Sequence, residues 1–201
     1  MTYVMTTSEV HPRARMVESA ALLLRERGLT GTGMRDIAEH AKAPRGSLQH
    51  YFPGGKEQVV TEALDWVAAQ LDATLSDPDA SARDVIGRMF GRWRKILQRT
   101  DFLAGCPIVA TITDANGDDA LIGKAAETFV RWRTSLADAL RRGGLPRVRA
   151  ERIAILAISA LEGAIVLARA EQDLAAYEIV AKEMSALVAG AQRPRASRKR
   201  A

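Results

Sequence analysis

KAPRGSLQHYFPGGKEQ, residues 42–58, decides how the front of this chain is read. It packs a proline, a glycine, a serine and the pair Tyr51-Phe52 into about two helical turns and then stops at Pro53-Gly54-Gly55. At about 100° per residue, Pro44, Leu48, Tyr51 and Phe52 gather on one side of a short helix. Gly46, Gln49 and His50 lie opposite, flanked by Arg45 and Ser47. A face built for helix stability would carry strong helix formers, whereas Gly46 costs about 1 kcal/mol relative to alanine. Close approach to a duplex supplies a physical reason for such a face. Glycine lets the helix axis come near base edges, Arg45 and Gln49 have the bidentate geometries that suit guanine and adenine, and Ser47 and Tyr51 reach phosphates to either side.

The segments before and after support that reading. Met16, Ala20, Leu23, Leu24 and Arg27 recur at helical spacing behind Pro12, predicting a first helix over 12–27 that Gly28 ends. Thr32 is expected to cap a second helix over 33–41, where Met34, Ile37, Ala38 and Ala41 keep the spacing. Pro44 is expected to open a third helix of about nine residues, giving the short turn and reading helix that a helix-turn-helix requires. Lys56 begins the fourth helix, where free N–H groups and the helix dipole favour a phosphate.

The stretch GLTGTGMRDIAEHAKAPRGSLQHYFPGGKEQVV, residues 28–60, resembles the DNA-binding domain of the TetR family of repressors. The similarity lies in the Gly-aliphatic turn, the Thr cap, the Ile-Ala pair, the Gly/Ser-rich recognition helix, the aromatic pair and the Lys-Glu of the next helix, and it covers about residues 12–60. It implies a DNA-binding set of Thr32, Gly33, Arg45, Gly46, Ser47, Gln49, His50, Tyr51 and Lys56. Gln49 stands where that family usually has tyrosine, which favours a base contact there over a phosphate contact. FPGGKE at 52–57, GCP at 105–107 and LEGAIVLARAEQD at 161–173 look like the LmrA/YxaF-type branch. The resemblance implies a homodimer, paired through the last two long helices, whose rear domain binds a small effector and shifts the spacing of two DNA-reading heads.

Behind the head the pattern stays helical. SDPDASARD, residues 76–84, is a capping loop, and helices are predicted near 82–99, 106–115, 118–142, 149–170 and 174–189. The expectation is an all-α protein of roughly nine helices. Its parts are a helix-turn-helix domain over 1–55, a ligand-binding and dimerisation domain over 56–190 and a disordered basic tail over 191–201. Helix 149–170 is apolar nearly all round, which suits a second copy of the chain as partner, with Ala164 and Ile165 expected at that contact. Trp66, Met89, Phe90, Trp93, Phe129 and Trp132 are candidates to line an effector pocket, although each alone reads better as core. Glu162, inside an apolar helix, is the acid that could pair with a cationic effector or satisfy a structural hydrogen bond. A lipophilic or cationic small molecule is the expected ligand class.

Composition limits the alternatives. The 201 residues are 47% hydrophobic and 26% charged, as in globular domains. The net charge of +5 is matched by Arg193, Arg195, Arg198, Lys199 and Arg200 of the tail, so the body is near neutral and bulk charge says little about DNA. A single cysteine, Cys106, fits a reducing compartment, and the first residues lack the pattern of a secretory signal. The apolar run Ile153–Ala168 falls short of the roughly 20 residues a bilayer needs, so a cytoplasmic location and no membrane partner are expected. No metal-ligand spacing, Gly-rich phosphate loop or nucleophile with a nearby base is visible, so no catalytic residue, metal or cofactor is expected. The competing readings are a regulator that ignores ligands and an enzyme that uses the rear cavity.

Overall fold

The computed structural model describes residues 11–44 and 46–191; Arg45 and the tail from residue 192 lie outside them. Among the described residues there are nine helices and no strand. They are α1 (Pro12–Arg27), α2 (Met34–His40), α3 (Ser47–Tyr51), α4 (Gly55–Thr74), α5 (Ala82–Arg99), α6 (Pro107–Asp114), α7 (Asp119–Arg142), α8 (Arg147–Glu171) and α9 (Ala175–Ala191). The chain divides into two compact units. One takes in residues up to Ala69 together with Ala104–Phe129, and the other holds Gln70–Leu103 and the chain from Val130 onward. The boundary expected at residue 55 lies inside the first unit, which keeps most of α4 and recruits α6.

In the first unit α1 packs against α2 and α6. Pro12 occupies the first turn of α1, where its missing N–H costs nothing, and His11 Nδ1 accepts from the Arg13 N–H at 3.3 Å. Gly28 ends the helix at a φ of 72°, a conformation that favours glycine. The stripe Met16, Ala20, Leu23 and Leu24 is buried, as are Ile37, Ala38, Leu48, Phe52, Val60, Leu64 and Ile108. Each large side chain of that set contributes about 1.5–3 kcal/mol by leaving water. Arg27, expected on the stripe, is exposed, and Arg25 is buried instead.

Two expectations about the head need correction. Thr32 does not cap α2: Gly33 is the N-cap, its N–H held by the Asp36 carboxylate at 3.0 Å, while the buried Thr32 hydroxyl donates back to the Gly28 carbonyl at 2.7 Å. The third helix also starts later than Pro44. Lys42 adopts a left-handed φ of 51°, and the Pro44 carbonyl accepts both the N–H and the hydroxyl of Ser47. A turn therefore uses the residues that were expected to form the first helical turn, leaving α3 only five residues long.

The second unit packs α5, α8 and α9 on one another. Ser81 and Asp84 form a reciprocal capping box at the start of α5, whose inward stripe is Ala82, Val85, Ile86, Met89, Phe90, Trp93 and Leu97. Gly143 follows α7 so closely on Ala82 that a Cβ there would collide with the backbone. The Ala82 N–H donates to its carbonyl at 3.1 Å. The buried Tyr177 hydroxyl donates to the Phe90 carbonyl at 2.7 Å and locks α9 to α5.

Helix α8 has 25 residues and is long and apolar enough, by length and composition alone, to span a bilayer, which the shorter run read from sequence is not. Its apolar residues divide between two faces. Ile153, Ala157, Leu161, Ala164, Ile165 and Ala168 are buried, whereas Val148, Ile155, Leu156, Val166 and Leu167 are exposed, as is Ile179 of α9. Ala164 and Ile165, expected to touch a second copy, thus belong to the protomer's own core.

Candidate nucleic-acid interface

The residues of α3 and its C-cap divide between an inward and an outward side. Leu48 and Phe52 turn inward, and the Arg13 guanidinium lies 5.2 Å over the Phe52 ring while its Nη2 donates to Glu62 at 2.6 Å. This pair ties the end of α3 to α1 and α4. The Gln58 amide supports Glu62 at 3.0 Å. With those anchors inside, Gly46, Gln49 and His50 face outward and are exposed, while Ser47 and Tyr51 are half-buried. Pro44, grouped with the inward side on the helical wheel, is exposed because it precedes the helix.

Gly46 differs from its neighbours in what the fold asks of it. Its backbone is ordinary right-handed helix, φ −67° and ψ −19°, and a Cβ built there would meet nothing within 4 Å. Neither strain nor packing inside the protein demands glycine at this point. At Gly33, by contrast, a Cβ would stand 2.8 Å from the end of the Asp36 side chain that caps α2, so a larger residue there would make that carboxylate shift.

Tyr51 lies edge-on between two imidazoles, with ring centroids 5.4 Å from His11 and 5.2 Å from His50. Ser47 donates its hydroxyl to the Pro44 carbonyl and keeps its lone pairs for other donors. Lys56 was expected to point at a phosphate; its ammonium is half-buried and donates to the Leu29 carbonyl at 2.6 Å, so at least one of its three N–H bonds braces the turn before α2. Thr32 is fully enclosed, and its side chain presents nothing to an outside partner. Of the nine expected contact residues the structure therefore brings Gly46, Ser47, Gln49, His50 and Tyr51 to one surface and assigns Thr32 and Gly33 to the scaffold. Sequence reasoning missed Asp114. This residue at the end of α6 accepts the Leu29 N–H at 2.9 Å and the Thr30 N–H at 3.3 Å, and no local pattern connects residues so far apart in the chain.

The rear candidates are divided between the two units. Trp66 and Phe129 fall in the first unit, both half-buried; Met89, Phe90, Trp93 and Trp132 are buried in the second, where Glu162 is half-buried. Phe90 packs against Tyr177 at a centroid distance of 5.7 Å. It lines a cleft of about 670 Å³ between α5 and α9, with Arg83, Arg94, Lys182 and Glu178 at its edges. Burial pushes the Tyr177 phenol well above its ordinary range, so this hydroxyl is a fixed donor.

Comparison with known proteins agrees with this geometry. Residues 17–63 match the family of bacterial regulatory proteins of the tetR type, and residues 82–183 match the C-terminal domain of LmrA/YxaF-like transcriptional regulators. The chain is 40% identical to the HTH-type transcriptional regulator Rv0196 of Mycobacterium tuberculosis over 184 residues, 88% of this chain and 94% of that protein. It is 25% identical to the HTH-type regulator YxaF of Bacillus subtilis over 90% of this chain and 97% of that one. A crystal structure of a TetR-family regulator from Cytophaga hutchinsonii superposes with a TM-score of 0.68 at 25% identity, covering 90% of this chain and 95% of that one.

Proposed function

The chain belongs to the TetR family of transcriptional regulators, in its LmrA/YxaF-like branch, and on that premise we propose that it is a homodimeric repressor released from a palindromic operator by a small molecule. The observation that carries the DNA-reading part is Gly46. A glycine that the fold does not need sits at the start of the reading helix, beside exposed Gln49 and His50, where a duplex would come closest. Gln49 reads adenine through its amide, His50, Ser47 and Tyr51 contact the backbone, and Arg45, outside the described residues, keeps its expected role at guanine.

Pairing of two copies is supported by the exposed apolar residues of α8 and by Ile179 of α9, which a lone protomer leaves in water. A pair of heads explains a palindromic site, since operator symmetry follows protein symmetry. The effector is a lipophilic or cationic molecule, for which Met89, Phe90, Trp93 and Trp132 offer apolar surface and Glu162 an acid. A ligand that favours the wrong head spacing by about 1–3 kcal/mol weakens DNA binding roughly 5- to 150-fold. The protein acts in the cytoplasm, with no membrane partner. Footprinting on the DNA beside the gene that encodes this chain tests the reading. A protected palindrome that lipophilic cations release supports it; protection that ignores every compound leaves a constitutive regulator, and the absence of any protection contradicts it.

A further inference from the structure

We propose that Asp114, in the last turn of α6, is a positioning residue for DNA binding, which it serves by clamping the turn between α1 and α2. The proposal rests on the α3 face being the one that meets DNA. The turn reads GLTGTG over residues 28–33, three of six residues being glycine, and only Leu29 and Thr32 of its side chains are buried. Hydrogen bonds hold its backbone from inside and outside the turn. Within the turn, the Thr32 hydroxyl donates to the Gly28 carbonyl at 2.7 Å and the Thr32 N–H to the Leu29 carbonyl at 3.3 Å. From outside, a single carboxylate oxygen of Asp114 accepts the N–H groups of both Leu29 and Thr30, while the Lys56 ammonium donates to the Leu29 carbonyl. Both peptide groups of Leu29 are thus held by charged side chains, the stronger class of hydrogen bond.

Two further features make α6 a brace for this turn. At the other end of the α6 segment the Gly105 N–H donates to the Arg25 carbonyl at 2.7 Å, so α6 is fastened to the final turn of α1 as well. Gly28, at a φ of 72°, also leaves the space that the Asp114 carboxylate fills; a Cβ there would overlap the carboxylate oxygen. Since α2 begins immediately beyond the turn and α3 follows it, a shift at Leu29 tilts the face that carries Gly46 and Gln49. Specific contacts need their donors held to a fraction of an ångström, whereas non-specific phosphate attraction does not.

The test compares Asp114→Ala, Asp114→Asn and the wild type in the full chain. Fluorescence anisotropy reads affinity for a duplex taken from upstream of the encoding gene and for a scrambled duplex of equal length, and hydrogen exchange reads the Leu29 and Thr30 amides. Asp114→Ala is expected to lose about tenfold or more on the upstream duplex, to keep its affinity for the scrambled one and to exchange both amides faster. Asp114→Asn keeps an acceptor oxygen and is expected to recover most of the loss. Equal losses on both duplexes, undisturbed exchange, or an asparagine variant no better than alanine would overturn the proposal. A wild-type protein that cannot distinguish the duplexes sinks the DNA reading itself, and this proposal with it. Asp114→Glu, which keeps the charge but displaces the carboxylate, supplies the same comparison should the alanine variant not fold.

Discussion

At Gly33 the Asp36 carboxylate folds back onto the N–H, and a Cβ there would make that carboxylate shift. At Gly46 the protein's own atoms make no such demand. Side by side, the two positions show one glycine set against a capping carboxylate and one with open space around it. Gln49 is exposed, and the proposed reading gives its amide, which has the geometry to pair with the edge of adenine, a base contact. Gln49→Ala should cost about 1–3 kcal/mol and relax preference at one base pair, as read by binding to a panel of single-base operator variants. A uniform loss across the panel would mean a backbone contact. That Gly46, Gln49 and His50 face outward was legible in the sequence because a helical wheel needs only local geometry. The bonds of Thr32 and Lys56 to the Gly28 and Leu29 carbonyls were not legible, because those partners are set by how the turn folds.

Among the helices, those with strong end signals were legible: Pro12 and Gly28 bound α1, Ser81 and Asp84 open α5, and the glycine pair closes α7. Pro44 misled because proline suits a first helical turn and an ordinary turn equally. At α5 the capping box carries a pH signature. The Ser81 hydroxyl, then its N–H, hold Asp84 below its usual carboxylate pKa, and Arg88 followed by the Asp79 N–H does the same for Asp77. Groups with depressed folded-state values contribute stability above their unfolded pKa and lose it as pH falls through the folded value. Thermal melting of the wild type should therefore drop more steeply below about pH 4 than that of Asp84→Asn. Matching slopes would remove the cap from the acid response. In α8 the pattern failed for a different reason: both faces are apolar, so periodicity could not say which one faces inward. Burial now does. Leu156→Asp should give monomers in sedimentation with the fold retained, whereas Ile165→Asp, buried in the protomer, should cost more than about 4 kcal/mol and lose the fold. A dimeric Leu156→Asp protein would count against the exposed face of α8 as the pairing surface.

For the whole molecule, the division into two units draws α6 and the start of α7 into the same body as the reading helices. The sequence boundary at residue 55 could not anticipate this, because the bonds that fasten α6, from Asp114 to Leu29 and from Gly105 to Arg25, join residues remote along the chain. The account depends most on the small, unneeded glycine at the start of α3. Its direct test is a pair of measurements on wild type and Gly46→Ala: the melting temperature, and the affinity for the duplex upstream of the encoding gene. The account predicts a melting temperature equal to wild type or slightly higher, since replacing glycine in helical geometry gains about 0.4–1 kcal/mol, with operator affinity reduced by about fivefold or more. Unchanged affinity at unchanged stability would contradict it.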